Sequence, residues 1–600
     1  MAFEDDFNVG TDQYVRKTGT ETIVYPIEFN PNNYGNKGAI IKDKIFEQVV
    51  EFKSVDLGIG VFFKNCEFRN GVEFVDCKAS GYDHNFHYFK TSLEFNDCKI
   101  NRGLIVKGKE SSFENLIACI DCSWINNISF NEITCGGIHI QKTNVNDGFV
   151  SVVRNNILGR FEITECGEMS ARFNTEGNNC YNYSFKKTTF KSRFELWGDT
   201  LAGTLVFNDC DFKEKLLIER VKGKSYSLIR VTVSDKTEIE FSDNEWNIGG
   251  FEQLYILDCE FKKGFYVNEQ RPFLQKPPLV REINIDFNGL VSQDIIISHL
   301  DIYELKLRGV NNNNVKFKHL FFHLLSIIDF TNESHVSFIN CEASKSFEKT
   351  LKPDPTGNSY PKVPFKLPTG VPFSKVNIHS SILGKTKFIE FNFKSFHSYI
   401  IKYSMISEIT TLGVKWFNIK QFESFTKDPV RIKIVLEEII DTCRQFKTAM
   451  YKQEDKIQAL IFQSHEYEYY RKLQNLTKGS GDHRWEDRVI FLAGWTNEFG
   501  QSWQRALGLM CLFIIPFNFI MIGLVAAWNY NPNVCTFCEI FAYSWREFAM
   551  LLNPIHDLSK VFDDDRKLPQ LLYILDFFQR LIFGFFSVQI VSGFRKYFKN

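Results

Sequence analysis

A short motif returns along the first two-thirds of this chain: an apolar residue, a spacer, Asn or Asp, then Cys, with an aromatic residue often following. It reads Phe63-Lys64-Asn65-Cys66-Glu67-Phe68, Phe74-Val75-Asp76-Cys77, Phe95-Asn96-Asp97-Cys98 and Ile120-Asp121-Cys122. It returns as Phe207-Asn208-Asp209-Cys210-Asp211-Phe212, Ile256-Leu257-Asp258-Cys259-Glu260-Phe261 and Phe338-Ile339-Asn340-Cys341, with looser copies at Cys135, Cys166 and Cys180. Self-similarity of this kind is the mark of a solenoid, because one repeat cannot bury its own apolar face and must stack on the next. Cys66 and Cys77 stand 11 residues apart and Cys77 and Cys98 stand 21 apart. With a β-helix coil of roughly 20 to 25 residues, the Cys recurs once per coil or half coil.

Between copies the residues alternate, as in Gly71-Val72-Glu73-Phe74-Val75 and Thr237-Glu238-Ile239-Glu240-Phe241. Period-two alternation turns one face inward and the other to water. Phe is abundant, 61 of 600 residues, as stacking one aromatic position coil after coil requires. The expected fold of residues 1–428 is a mainly β solenoid, an irregular right-handed parallel β-helix. Its Cys and Phe stack inside, and Asn or Asp serves the corners. The close Cys pairs, Cys119/Cys122 and Cys535/Cys538, lack a second pair at zinc-ribbon spacing, so no metal site is expected.

The chain carries a net charge of −1, which gives no bias toward nucleic acid. Residues Met1 to Gln13 show neither a basic start nor an apolar run, so the N-terminal region is expected in the cytosol. There the 15 Cys, an odd number, read as reduced thiols. No glycine-rich nucleotide fingerprint is found. Many carbohydrate-active enzymes use β-helices, but the clustered carboxylates of that chemistry are missing. Arg431-Ile432-Lys433 matches only a fragment of such a signature, at the start of an expected helix. We expect no enzyme, no catalytic residue and no cofactor.

Pro353, Pro355, Pro361, Pro364, Pro368 and Pro372 mark a loop or insertion over about 344–375, after which strand-like residues resume at Lys375. From Pro429 the apolar period changes to three and four, predicting a helical hairpin over about 430–476, broken near Tyr451 to Asp455, within a linker of 429–504. Within it stand Arg444-Gln445-Phe446-Lys447, Phe462-Gln463-Ser464-His465-Glu466 and Tyr470-Arg471, then Asn497-Glu498-Phe499-Gly500-Gln501-Ser502-Trp503. Beyond residue 430 the chain resembles bacterial pentapeptide-repeat membrane proteins, which carry such a hairpin before a pair of spans. It departs from them in keeping no five-residue register. The resemblance implies a two-span, ion-channel-like domain. His465 and Glu466 read as helix surface or hairpin packing.

The membrane domain is expected over 505–600. Ala506 to Trp528 holds no charge and suffices to cross a hydrocarbon core of about 30 Å. Leu571 to Phe594 is the second expected span, interrupted by Asp576 and Arg580. Between them, 536–552 predicts an interfacial or re-entrant helix, with Phe537, Phe541, Trp545, Phe548 and Leu552 on its apolar face and Arg546 and Glu547 off it. Arg595, Lys596 and Lys599 close the sequence, which predicts a cytoplasmic C-terminus at the inner (plasma) membrane. Intramembrane polar groups are functional suspects, here Asn518, Asp576, Arg580 and Gln589. Two spans enclose no aqueous path, so the channel reading requires a homo-oligomer, gated by a cytosolic sensing region. The alternative is a tethered scaffold holding a protein partner on its β-helix, with the lipid bilayer as anchor.

Overall fold

The computed structural model describes 15–18, 21–24, 39–79 apart from 48, 55, 58 and 59, 91–240 apart from 124, 251–268, 277–346, 373–422, 429–477, 492–496, 502–529, 545–562 apart from 554, and 570–598. Contacts divide the chain into two compact units: Met1–Ser404 with Ile409–Gln421, and Met405–Glu408 with Phe422–Asn600.

The first unit is a solenoid of parallel strands, about 14 turns between residues 41 and 412. One coil shows the path. Leu216–Glu219 lies in one long sheet, Gly223–Ile229 in the other, Thr232–Val233 is a short third stretch, and Thr237–Glu240 returns to the first sheet. Leu216 pairs with Thr237, and Tyr226 pairs with Leu254 in the next coil.

The chain turns at corners held in the left-handed conformation. Asn65, Asp97, Asp121, Asp209 and Asp258 have φ between 52° and 55° and follow strands of the second sheet. Asp76 (φ 50°) and Asn340 (φ 51°) follow strands of the first. Asn and Asp tolerate this region better than other non-glycine residues, which explains the Asn or Asp before these seven Cys. Gly177 (φ 64°) and Gly198 (φ 66°) take the corner in two successive coils. Cys66 and Cys77 occupy two different corners of one coil, and Cys98 returns to the corner of Cys66. The uneven spacing in the sequence follows from this.

Each motif Cys turns inward and is buried. Its thiol donates to a carbonyl of the preceding coil: Cys77 to Phe52 O at 3.3 Å, Cys98 to Phe63 O at 3.4 Å, Cys122 to Phe95 O at 3.3 Å and Cys210 to Phe185 O at 3.3 Å. The thiol therefore packs as a small apolar group and also meets a buried backbone acceptor. Phe side chains form ladders beside it. Ring centroids stand 4.7 Å apart for Phe52–Phe74, 4.9 Å for Phe185–Phe207 and 4.9 Å for Phe317–Phe338. Across the Pro-rich stretch the ladder continues, Leu324 pairing with Lys375 and Phe338 with Phe388; residues 347–372 lie outside the described ones.

The second unit is helical. α1 (Pro429–Lys452) and α2 (Lys456–Thr477) form a hairpin. Phe446 stacks on Phe462 at 5.1 Å, and Glu466 accepts from Arg444 Nε at 3.1 Å and Lys447 Nζ at 2.6 Å. The quoted Arg-Gln-Phe-Lys and Phe-x-x-x-Glu segments are thus the two faces of one packed contact. α3 (Trp503–Asn529) and α4 (Gln570–Phe598) follow. They run antiparallel: Trp503 stacks on Phe594 at 4.7 Å, and Phe513 on Phe586 at 5.9 Å.

Between α3 and α4, residues 545–551 are helical, and Leu558–Val561 forms one further turn. Phe548, Leu551, Leu558, Val561 and Phe562 pack with Met521 and Ile522 of α3 and Leu572 of α4. Of the expected apolar face, Phe548 is buried while Trp545 and Leu552 are exposed; Glu547, expected off that face, is 4% exposed. Phe537 and Phe541 lie outside the described residues.

Candidate intramembrane polar cluster

Trp503–Leu524 and Gln570–Phe594 are long and apolar enough to cross a membrane, with mean hydropathies of 2.3 and 1.6. Only 22% of each apolar window is buried. The core helix of a water-soluble domain hides most of such a surface; these two present theirs. Leu512, Phe519 and Ile520 on α3 and Ile574, Phe577, Phe578 and Val588 on α4 are exposed.

The polar side chains of the pair turn the other way. Asn518, Asp576 and Gln579 are 0%, 7% and 3% exposed. On α4, Asp576 and Arg580 stand one turn apart, and Arg580 Nε donates to Asp576 Oδ2 at 2.9 Å. Arg580 Nη2 also donates to the carbonyl of His556 at 2.6 Å. Gln579 Nε2 donates to the carbonyl of Leu551 at 3.0 Å. A helix ends with carbonyls that have no partner within it, costly in apolar surroundings. Gln579 and Arg580 reach across from α4 to satisfy two carbonyls at and beyond the end of helical segment 545–551.

His556 completes the cluster. Its Nδ1 lies 2.6 Å from the carbonyl of Asn553, and its Nε2 lies 2.8 Å from Asp576 Oδ1, without the alignment of a full hydrogen bond. Neither side-chain atom of Asn518 has a hydrogen-bond partner. The antiparallel register set by Trp503 against Phe594 and Phe513 against Phe586 brings Asn518 to the level of the turn from Asp576 to Arg580.

Of the four residues named from the sequence, the structure joins Asp576 and Arg580 directly and sets Asn518 level with them. Gln589 is half-buried, about two and a half turns farther along α4. His556 and Gln579 were missed. His556 lies outside both apolar runs, though the helix-ending Asn553-Pro554-Ile555-His556 was a signal that the chain turns back there.

Elsewhere, Cys119 and Cys122 are both buried in the solenoid core, while Cys535 and Cys538 lie outside the described residues. Arg431-Ile432-Lys433 forms part of the first turn of α1. Among the described residues, no group of three or more His, Cys, Asp or Glu is placed to hold a metal ion. No family model, curated protein or solved structure matches the chain.

Proposed function

We propose that this protein is a membrane-tethered scaffold, with α3 and α4 as its anchor and the long parallel sheets of the solenoid as the surface for a protein partner. The observation that carries this reading is the division of the anchor's faces. Asn518, Asp576 and Gln579 are buried inside one copy of the chain, and outward positions such as Leu512, Phe519, Phe577 and Val588 are apolar. Such a face suits lipid, whereas a pore needs polar groups toward a lumen. Antiparallel spans place both ends of the anchor on one side, and the basic Arg595, Lys596 and Lys599 favour the cytoplasmic side of a plasma membrane.

A second reading draws on the half-buried Gln589 and the side chain of Arg580, 38% exposed. These two offer polar contact to neighbouring copies in an oligomeric channel regulated by the solenoid. Two measurements on the full chain decide between the readings: its mass in detergent, and ion flux through liposomes that contain it. A monomer without flux supports the scaffold. A closed oligomer whose flux is altered by Gln589→Leu overturns it in favour of the channel.

A further inference from the structure

We propose that a cavity between residues 492–496 and the two spans is a binding site for one acyl chain of a membrane phospholipid. The cavity holds about 310 Å³. α3 lends it Phe513, α4 lends Leu581, Phe585 and Phe586, and Trp495 and Thr496 of the short helical stretch 492–496 form a third wall. Phe513 stands edge-on to Trp495 at 6.1 Å and stacks on Phe586 at 5.9 Å, and Phe585 meets Phe586 at 5.4 Å. One ring, Phe513, thus joins all three segments. The same Phe513–Phe586 stack that sets the register of the spans forms the buried side of the cavity, Phe586 being 4% exposed.

No charged group lines this space. Thr496, its one polar side chain, is buried and donates its hydroxyl to the carbonyl of Leu492 at 2.7 Å. A water molecule needs about two to four polar partners, and an apolar cavity of about 150 Å³ stays dry and takes benzene. This cavity is about twice that size, at the lower end of ligand sites, which suits one hydrocarbon chain and not a whole lipid. Filling it gives the lining rings dispersion contacts on the side where they have none.

The surroundings name the hydrocarbon. Trp495, Phe513, Leu581 and Phe585 are each exposed, so the cavity opens on the apolar outward face of the spans, where the solvent is lipid chains. Phe513 lies ten residues beyond Trp503, about 15 Å along the helix. An acyl chain reaches that depth from a headgroup at the Trp503 end, the end at which α4 carries Arg595 and Lys596. Elsewhere a lipid chain meets the surface of two helices; here three segments and four aromatic rings enclose it.

The site rests on the reading of α3 and α4 as membrane spans, and one experiment separates the two. The full chain is placed in phosphatidylcholine vesicles with a trace of phosphatidylcholine that carries a photoactivatable diazirine in its acyl chain, and adducts are mapped by peptide mass spectrometry. Adducts are expected to concentrate on Trp495, Phe513 and Phe585 over the outward Ile574 and Val588. Leu581→Trp, at an exposed position on the mouth, fills the cavity, and the excess is expected to be lost while Ile574 and Val588 stay labelled. Leu492→Trp gives the same test if Leu581→Trp does not fold. Even labelling of all outward positions, labelling of Ile574 and Val588 alone, or an excess unchanged in the folded variant would overturn the site and leave the spans standing. Absence of adducts from both helices would overturn the site and the spans together.

Discussion

Lys447 Nζ of α1 lies 2.6 Å from Glu466 Oε2 of α2, beside the stacked rings of Phe446 and Phe462. The carboxylate is 11% exposed and the Lys447 side chain 22% exposed, whereas Arg444, its other partner, is 57% exposed. The Lys447 contact is therefore the better shielded from solvent and salt.

Removing Glu466 leaves Lys447 partly buried without its counter-charge. Glu466→Ala is expected to destabilise the hairpin by about 1–3 kcal/mol. Phe462→Ala should cost more, about 3–5 kcal/mol. Thermal unfolding of the detergent-purified chain measures both, and equal losses would show that the ring stack is not the larger contribution.

The corners make a second prediction. Asp258 has φ 52°, a conformation that a β-branched side chain resists. Asp258→Val is expected to cost about 1–2 kcal/mol, while Asp258→Gly costs less. Denaturant unfolding of the two variants compares them directly.

The motif thiols should be chemically quiet. Burial pushes the Cys210, Cys259 and Cys341 thiols up to about 12, so almost no thiolate forms at pH 8. Among the cysteines the structure describes, Cys511 on α3 is exposed. If α3 lies in lipid, where a thiol does not ionise, Cys511 escapes a charged, impermeant maleimide in the intact membrane and is labelled only after denaturation in detergent. Peptide mass spectrometry reads the sites, and labelling of Cys511 by the charged reagent in the intact membrane would count against a span. Thr143 and Ser381 hold the motif's inward corner position natively, bonding Cys119 O at 3.1 Å and Ile327 O at 3.3 Å. Cys210→Ser should accordingly cost less than Cys210→Leu, which overfills the core by about 1–3 kcal/mol.

Asp199 predicts a pH dependence. It is fully buried at a coil corner and accepts from the Asn178 backbone N–H at 2.7 Å, from Asn178 Nδ2 at 2.9 Å and from the Thr175 hydroxyl. Burial raises its carboxyl to about 6, against opposing hydrogen bonds from Thr175 and Asn178. Above an unfolded value of about 4 the folded chain holds a proton that the unfolded chain has released. Stability from this group is full below that value, falls as pH rises through about 6, and is level thereafter. Asp199→Asn should remove that fall, on the order of 1–3 kcal/mol. Solenoid unfolding at pH 5 and pH 7 measures it, and an unchanged slope in the variant would show that another group is responsible.

The span pair makes the last prediction. A Cβ on Gly593 would meet the Trp503 backbone nitrogen at 2.8 Å, whereas nothing lies within 4 Å of one on Gly584. Gly593→Val is expected to force the helices apart at a cost of about 1–3 kcal/mol, while Gly584→Ala is near neutral. Cross-linking between cysteines placed at 503 and 594 reports the separation.

Much of the solenoid could be read locally. The Asn or Asp before each motif Cys marks a left-handed corner, and the alternating Phe marks an inward face, because both depend on residues only a few positions apart. The same holds for the hairpin break between Lys452 and Lys456 and for the length of the two apolar runs. No isolated coil buries its Phe, so repetition itself implies stacking. The polar cluster was legible only in part. Asp576 and Arg580 share a helix face at a spacing of four, which period alone gives. That His556 would close on Asp576, that Glu547 would turn inward, and that Gln589 would lie apart depended on the register of α3 against α4 and on how 545–562 folds back between them. Helical period fixes which residues share a face. Which faces meet is decided by packing between segments distant in sequence, and here only the tertiary structure determined it.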